Sequence, residues 1–348
     1  MRILVIGAKG FIGIPLVREL LEDGHDLAVF HRTAQPAASE VVVQIDGDRN
    51  RLGEYADQLR RFAPQVIVDM ILSSGEQAEQ LVELAVELNV RLVAISSMDV
   101  YRAWGVMLGS EAGELEPMPI TEDSPLRTAG RAYPPELVQT MKSVFTWVTP
   151  DYDKIAVEKA VMDGRTDATV VRLPMVYGPG DPLHRLHGIL KRIRDGRPAI
   201  ILAEEHAAWR APRGFVDNVA HAIARASVSQ DAVGRIYNVC EEPSLSELEW
   251  QAKVAAQAGW HGRWVVLPRR QTPKHLLMPG KASQHLVASS ERIRRELGYR
   301  EWVSQEEAIQ RTISWEQENP PTGPTFHQFD YPAEDAVLAQ AQAFLLPN

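Results

Sequence analysis

The sequence predicts an α/β protein with a doubly wound parallel sheet and a smaller, mostly helical C-terminal part. Three observations carry this prediction. Short apolar runs recur without polar alternation, as strands buried on both faces do. Amphipathic stretches of helical spacing separate them, and the links between are short. The chain has 348 residues, 45% hydrophobic and 24% charged, an ordinary globular composition long enough for one large or two coupled domains.

The elements follow in order. RILVI (2–6) reads as the first strand. FIGIPLVRELLED (11–23) has its apolar residues at helical spacing, and Gly24 is placed to end that helix. DLAVF (26–30) and VVVQI (41–45) read as strands, followed by a polar helix over about 52–62. QVIVDMI (65–71), a helix over about 76–88 and RLVAISS (91–97) continue the alternation. Residues 103–150 carry six prolines and little periodicity, which predicts an irregular, partly exposed excursion. A helix over about 151–163 and the strand ATVVRL (168–173) restore the pattern. Helices near 184–195 and 216–227 precede the strand RIYNV (235–239). Residues 244–318 read as mostly helical, and 333–345 as an amphipathic helix.

A net charge of −9 excludes a general basic surface for nucleic acid. The single cysteine, Cys240, allows no intrachain disulfide and reads as a buried small hydrophobe. These features fit a reducing cytoplasm, and no apolar stretch approaches the roughly 20 residues of a membrane span.

The chemistry begins at Gly7-Ala8-Lys9-Gly10-Phe11-Ile12-Gly13, directly after a strand and opening a helix. The first glycine permits the tight turn. The second lets the backbone approach a pyrophosphate, and the third lets helix and strand pack closely. The helix N-terminus then faces the phosphates. This is a Rossmann dinucleotide site. The second strand ends Phe30-His31-Arg32-Thr33, with no acid to bind the ribose 2′-hydroxyl of NAD. Arg32 suits the 2′-phosphate of NADP, which predicts NADP over NAD unless Arg32 is only a solvated loop charge or stacks on adenine.

From Met1 to about Pro320 the chain resembles the extended short-chain dehydrogenase/reductases of the NAD-dependent epimerase/dehydratase group. GAKGFIG, GDRN (47–50), SSMDVY (96–101), KIAVEKAV (154–161), VVRLPMVYGPGD (170–181), FVDNVAHAI (215–223), YNV (237–239) and RIRRELGY (292–299) carry the resemblance jointly and in order. It implies cofactor contacts from Gly7, Lys9, Gly10, Phe11, Ile12, Gly13, His31, Arg32, Asp48, Arg49, Met70, Ile71, Leu72, Ser96, Lys154, Leu173, Pro174 and Val176. It implies a dinucleotide-binding domain of residues 1–177 plus 214–240. The substrate-binding domain is then 178–213 and 241–320, and 321–348 is a C-terminal extension. A small-molecule substrate and a homodimer are implied, and no metal.

The family's chemistry uses a serine, a tyrosine phenol and a lysine that lowers the phenol's pKa. Ser97 and Lys154 match by position. The tyrosine does not, because Pro150 stands four residues before Lys154. Tyr152 is two before it, about 200° away around a regular helix. Tyr152 therefore acts from a turn entering the helix, or Tyr133 is the displaced tyrosine ahead of an insertion over 134–149, or neither acts. PITEDSPLRT (119–128), which resembles the segment normally ahead of the tyrosine, supports Tyr133. Asp99 is the surviving carboxylate of the pair that eliminates water in the family's dehydratases, or a turn cap. Met175 replaces an asparagine that contacts substrate phosphates in sugar-nucleotide enzymes, and methionine cannot donate that bond. Met175, Tyr177, Arg210 and Arg213 are the substrate-side candidates. Trp147 and Trp209 are placed to stack in a cleft or in the core. His184 and His187, at i, i+3 after Asp181, read as rimming that cleft. The function implied is oxidation, reduction or epimerisation at a secondary alcohol or carbonyl, as on a sugar or sugar nucleotide. The alternative is a cofactor-binding regulatory or sensor protein that lost the phenol.

Overall fold

The computed structural model describes residues 1–32, 42–165, 167–323 and 325–343. Val41 of the third expected strand and residues 344–345 of the last expected helix lie outside them. The strands are β1 (Arg2–Ile6), β2 (Asp26–His31), β3 (Val43–Asp46), β4 (Val66–Asp69), β5 (Arg91–Ser97), β6 (Thr169–Leu173), β7 (Met175–Tyr177), β8 (Ala199–Ala203), β9 (Arg213–Phe215), β10 (Ile236–Asn238) and β11 (Arg263–Leu267). Seven of them form one sheet in the order β10-β6-β5-β4-β1-β2-β3, every pair parallel. The order reverses between β1 and β4, and the crevice outside the carboxyl ends at such a reversal is where an open α/β sheet binds its ligand.

The helices are α1 (Gly13–Glu22), α2 (Ala56–Phe62), α3 (Gly75–Leu88), α4 (Arg102–Leu108), α5 (Pro135–Val144), α6 (Lys154–Gly164), α7 (His187–Arg194), α8 (Glu204–Ala208), α9 (Val216–Val228), α10 (Glu247–Gln257), α11 (Glu291–Leu297), α12 (Gln305–Glu318) and α13 (Tyr331–Ala343). Strand alternation sorts the core into two layers. Ile3 and Val5 pack with Leu16, Leu20, Val219 and Ile223 of α1 and α9 on one face. Leu4 and Ile6 pack with Leu59, Leu81, Leu84, Val157 and Val161 of α2, α3 and α6 on the other. Among the described residues no helix is long and apolar enough to cross a membrane.

Two stretches differ from the sequence expectation. Residues 103–150 contain α4 and α5 rather than only irregular chain. Their punctuation falls at helix ends: Gly109, at φ 80°, closes α4, and Pro135 opens α5 in the first turn, where no backbone donor is needed. Residues 244–318 include a strand, because β11 pairs parallel with β8, a long-range partner that local periodicity does not announce. Cys240 is buried, as expected. The extension folds back onto the body. Glu334 on α13 is fully buried, accepts from Arg192 Nη2 at 2.7 Å and meets His275 Nε2 at 3.0 Å.

One buried ion pair fixes the helix that matters most. Arg172 on β6 grips Glu158 on α6 with both arms, at 2.9 and 2.7 Å, and its third nitrogen donates to the Tyr101 hydroxyl at 2.8 Å. Ser96 on β5 donates to the same carboxylate. Breaking such a pair leaves a buried charge uncompensated, which costs about 3–5 kcal/mol. Glu158→Ala should therefore lower the unfolding free energy by about that amount in urea titration. Lys159→Ala, which removes an exposed pair with Asp163 on the same helix, should leave the urea midpoint in place.

Candidate active site

The glycine loop is shaped as a phosphate cradle needs. Gly7 has φ 84°, and a Cβ there would lie 2.7 Å from Ile71 Cγ2. A Cβ on Gly13 would lie 2.4 Å from the Gly7 carbonyl oxygen. Gly10 N donates to Gly7 O at 3.0 Å, tightening the turn onto α1. A cavity of about 310 Å³ opens beside it, bounded by Gly7, Lys9 and Gly10, by Phe30, His31 and Arg32, and by Asp48, Arg49 and Ile71. Its far wall is Thr146 to Thr149. The cradle and this cavity fit the pyrophosphate and adenosine of a dinucleotide.

The remaining cofactor candidates divide. Leu72 lends its carbonyl to Lys154. Met70, Leu173 and Val176 are buried in one core cluster, with Phe11 and Ile12 packed against it, and Pro174 stands half-buried beside Gly214. Arg49 lines the cavity, but its guanidinium is paired with the buried carboxylate of Asp69 at 2.8 Å. Asp48 caps the turn after β3 by accepting from Asn50 N. Ser96 does not face this cavity. Successive strand residues point to opposite faces, so Ser96 turns to Glu158 while Ser97 turns to Asp99.

Lys154 is the first residue of α6, with Asp153 as its cap. Its ammonium is buried, donating to the carbonyls of Leu72 at 2.5 Å and Ile95 at 2.9 Å. Tyr152 precedes the cap, so the turn, not the helix, sets its direction. Its hydroxyl donates to Asp99 Oδ2 at 2.8 Å, and its ring stands 6.0 Å from Tyr133 and 6.4 Å from Trp147. Ser97 Oγ accepts from Asp99 N at 3.2 Å and so caps the short turn that carries Asp99. The turn-cap reading of Asp99 does not hold: Ser97 is the cap, and the Asp99 carboxylate accepts from Tyr152 instead. Asp99 Oδ1 is buried without a hydrogen-bond partner. Arg127, unmarked by the sequence, lies under this group and donates through Nε to the Asp99 carbonyl.

Burial sets the ionisation here. It pushes the Asp99 carboxyl up, with the Tyr152 hydrogen bond opposing. It pushes the Tyr152 phenol well above its ordinary value, and Asp99 adds to the rise. The Tyr133 phenol moves the same way for the same two reasons. The lowered phenol implied by the family pattern is therefore absent in this arrangement, where a carboxylate and not the ammonium is the phenol's direct partner. Burial lowers Lys154 to about 8, with Asp99 opposing. Trp147, over Lys154 at 5.2 Å from its ring centre, separates this group from solvent.

On the substrate side, Met175, Tyr177 and Arg213 line a second cavity of about 280 Å³, with Trp209 in its wall. Arg210 does not line it. That side chain is half-exposed, donating to Ser244 O at 2.8 Å and pairing with Glu249 at 3.2 Å. His184 and His187 also stand outside the lining. His184 stacks on Trp315 and bonds Glu316, and His187 packs against Phe329. No cluster of three or more metal-ligating side chains occurs among the described residues.

The sequence profile of the NAD dependent epimerase/dehydratase family matches residues 3–240. The chain belongs to that family. Its members are NAD-dependent enzymes by description, and the glycine cradle and buried lysine accord with that class. The chain is 27% identical over 269 residues to a 3-diazoavenalumate denitrifying reductase of Streptomyces, a match spanning 74% of this chain and 82% of that protein. It is 22% identical over 318 residues to the chloroplast stem-loop binding protein of 41 kDa b of Arabidopsis thaliana, spanning 86% and 75%. The Bordetella bronchiseptica enzyme WbmG, solved with NAD, superposes with a TM-score of 0.66 at 17% identity, over 92% of this chain and 94% of that one.

The depressed Lys154 pKa makes a stability prediction. Between about 8 and 10.5 the unfolded chain holds a proton on this lysine that the folded protein lacks. Unfolding free energy therefore rises with pH across that window, and the burial penalty stands in full below it. Relative to Lys154→Met, wild-type protein should gain on the order of 3 kcal/mol between pH 7 and pH 10.5 in urea titrations.

Proposed function

We propose that the protein is an NADP-preferring reductase that delivers a proton from Tyr152 to the oxygen of a bound carbonyl compound. The observation that carries this reading is the Tyr152–Asp99 hydrogen bond in a buried site beside Lys154. A phenol held well above its ordinary pKa stays protonated at neutral pH, as a general acid must and a base must not. The nicotinamide cofactor would supply the hydride to the carbonyl carbon. Tyr152 gives its proton to the oxygen as charge develops there, and the phenoxide is reprotonated by a proton taken up from water, which the Asp99 carboxylate, the acceptor of the Tyr152 hydrogen bond, can relay. Ser97 holds Asp99 in place and offers its hydroxyl to the same oxygen. Lys154 supports the positive potential under that oxygen and holds the nicotinamide ribose.

The residues that would hold the cofactor are the loop Gly7–Gly13 at the pyrophosphate, Asp48 and Ile71 at the adenosine, and Leu173, Pro174 and Val176 towards the nicotinamide. Arg32 is the NADP determinant. Asp46, opposite His31 in the sheet register, has its carboxylate 3.3 Å from the His31 ring nitrogen. It is thereby engaged, while Arg32, among the described residues, donates to the Thr146 hydroxyl at 3.0 Å. Residues 178–213 and 241–320 furnish the substrate side in this reading. The reductase named among the relatives agrees with this direction of reaction.

The test is NADPH oxidation with a panel of ketones and aldehydes. Tyr152→Phe should cut kcat by about 10²–10⁴-fold with cofactor affinity retained, and Tyr133→Phe should change it far less. Equal losses in the two variants would assign the proton to Tyr133 or to neither. Separately, Arg32→Asp should lower the ratio of NADPH to NADH affinity by about tenfold or more, read by nucleotide fluorescence titration. An unaltered ratio would remove Arg32 from cofactor selection.

A further inference from the structure

The cavity behind β7 has an unusual charge balance. Arginines are prominent in its surroundings, yet each is already matched by a carboxylate. Arg213 pairs with Glu247, and its guanidinium lies 4.9 Å from the centre of the Trp250 ring. Burial opposes the ionisation of Glu247, but the Arg213 charge and the hydrogen bonds from Arg213 and Gln251 hold the carboxyl below its ordinary value. Arg185 pairs with the buried Asp181 at 2.7 Å. In the adjoining cavity of about 300 Å³, Arg192 pairs with the buried Glu334. The two histidines add no charge at neutral pH, because burial lowers both His206 and His327.

Apart from these ion-paired groups, the lining is largely aromatic and aliphatic. Tyr177, Trp209, Trp250 and Phe326 line the cavity. Tyr177 is fixed by donating to Glu241 at 2.9 Å, and Trp209 by donating to Gln284 O at 3.0 Å. Two buried nitrogens of lining residues have no hydrogen-bond partner: His206 Nδ1 and Arg213 Nη1. Buried polar atoms are normally satisfied, so these mark where a ligand oxygen is received.

We infer that this cavity takes a compact, uncharged aromatic carbonyl compound and rejects phosphorylated ones. Rings stack on the tryptophan faces with their edges or offset planes. A phosphate would bring two negative charges into a buried site whose cations are already neutralised, and its lost hydration would go unrepaid. A volume near 280 Å³ lies at the lower edge of ordinary ligand pockets and suits one substituted ring. The inference takes from the reductase reading only that the ligand carries a carbonyl.

Equilibrium binding without cofactor or turnover separates it from that reading. Isothermal titration would compare 4-hydroxyacetophenone with phenyl phosphate on the full chain. The neutral ketone should bind at least about tenfold more tightly. Met175→Trp, which fills the cavity, should abolish that binding. Glu247→Gln, which releases Arg213 at nearly constant volume, should raise the phenyl phosphate affinity by about tenfold or more. The inference is overturned if phenyl phosphate binds wild-type protein as well as the ketone does. It is overturned equally if neither binds, if Met175→Trp leaves ketone binding intact, or if Glu247→Gln gains nothing for the phosphate. NADPH oxidation by Tyr152→Phe is unaffected by any of these results, so the proton-donor reading stands or falls on its own measurement.

Discussion

Arg172 and Glu158 never touch the cofactor cleft, yet the geometry of the centre depends on them. The pair ties β6 to α6 one helical turn past Lys154, at i+4, on the same side of the helix. Tyr101 and Ser96 complete its hydrogen bonds, so two further segments are locked to the same point. A charge pair in the dry interior earns little net stability, but it permits only one arrangement of its partners. Here that arrangement sets the depth of Lys154, whose ammonium then reaches two backbone carbonyls from neighbouring strand ends. The helix start is thus held from both ends: by an ion pair below and by carbonyl acceptors above.

The same burial that holds Lys154 decides which groups keep their protons. Asp99, Tyr133, Tyr152 and Lys154 share one desolvated space, and desolvation favours the neutral form of each. Hydrogen bonds and nearby opposite charges act against this for Asp99 and Lys154. For the two phenols the nearest charge is the Asp99 carboxylate, which acts with burial instead of against it. The position four residues before Lys154 holds Pro150 and lies ahead of the helix, which begins at Lys154. Tyr152, on the turn, presents its hydroxyl to a carboxylate. That carboxylate is therefore the direct partner of the phenol, and burial and its charge together move the phenol's pKa upward.

Much of this was legible in the sequence where backbone conformation forces the residue type. Gly7 must adopt a positive φ and Gly13 has no room for a Cβ, so the glycine spacing reported the loop faithfully. The parallel strands were legible because burial on both faces keeps them mostly apolar, and their few polar residues, such as Asp69, Ser96 and Arg172, have buried partners. Residue type says less where a side chain's partner comes from far along the chain. Ser96 and Ser97 are chemically identical, and strand alternation alone sends one to Glu158 and the other to Asp99. Arg49 and Arg213 were expected at cofactor and substrate, and the sequence gives no sign of the Asp69 and Glu247 carboxylates folded against them. Arg127 lies within PITEDSPLRT but had no role assigned to it, and its contact follows from the return of the chain beneath Asp99.

The stretch between Tyr133 and Lys154 builds the surroundings of Tyr152. It brings α5 and a small cluster of its own, in which Val138 and Val148 pack with Tyr152 while Tyr133, Phe145 and Trp147 lean against them. That cluster does what the regular helix would otherwise do: it fixes the tyrosine. The same segment is fastened at two more points, by Thr149 to Ser73 after β4 and by Thr146 to Arg32 after β2. Both fastenings lie at carboxyl ends of the sheet, on either side of the glycine loop. One segment therefore packs against the Tyr152 ring, forms the far wall of the cavity beside the glycine loop and meets Arg32 at the end of β2. Thr146–Thr149 thus line the cavity beside the glycine loop while Trp147 and Val148 pack against Tyr152, so one short stretch borders both.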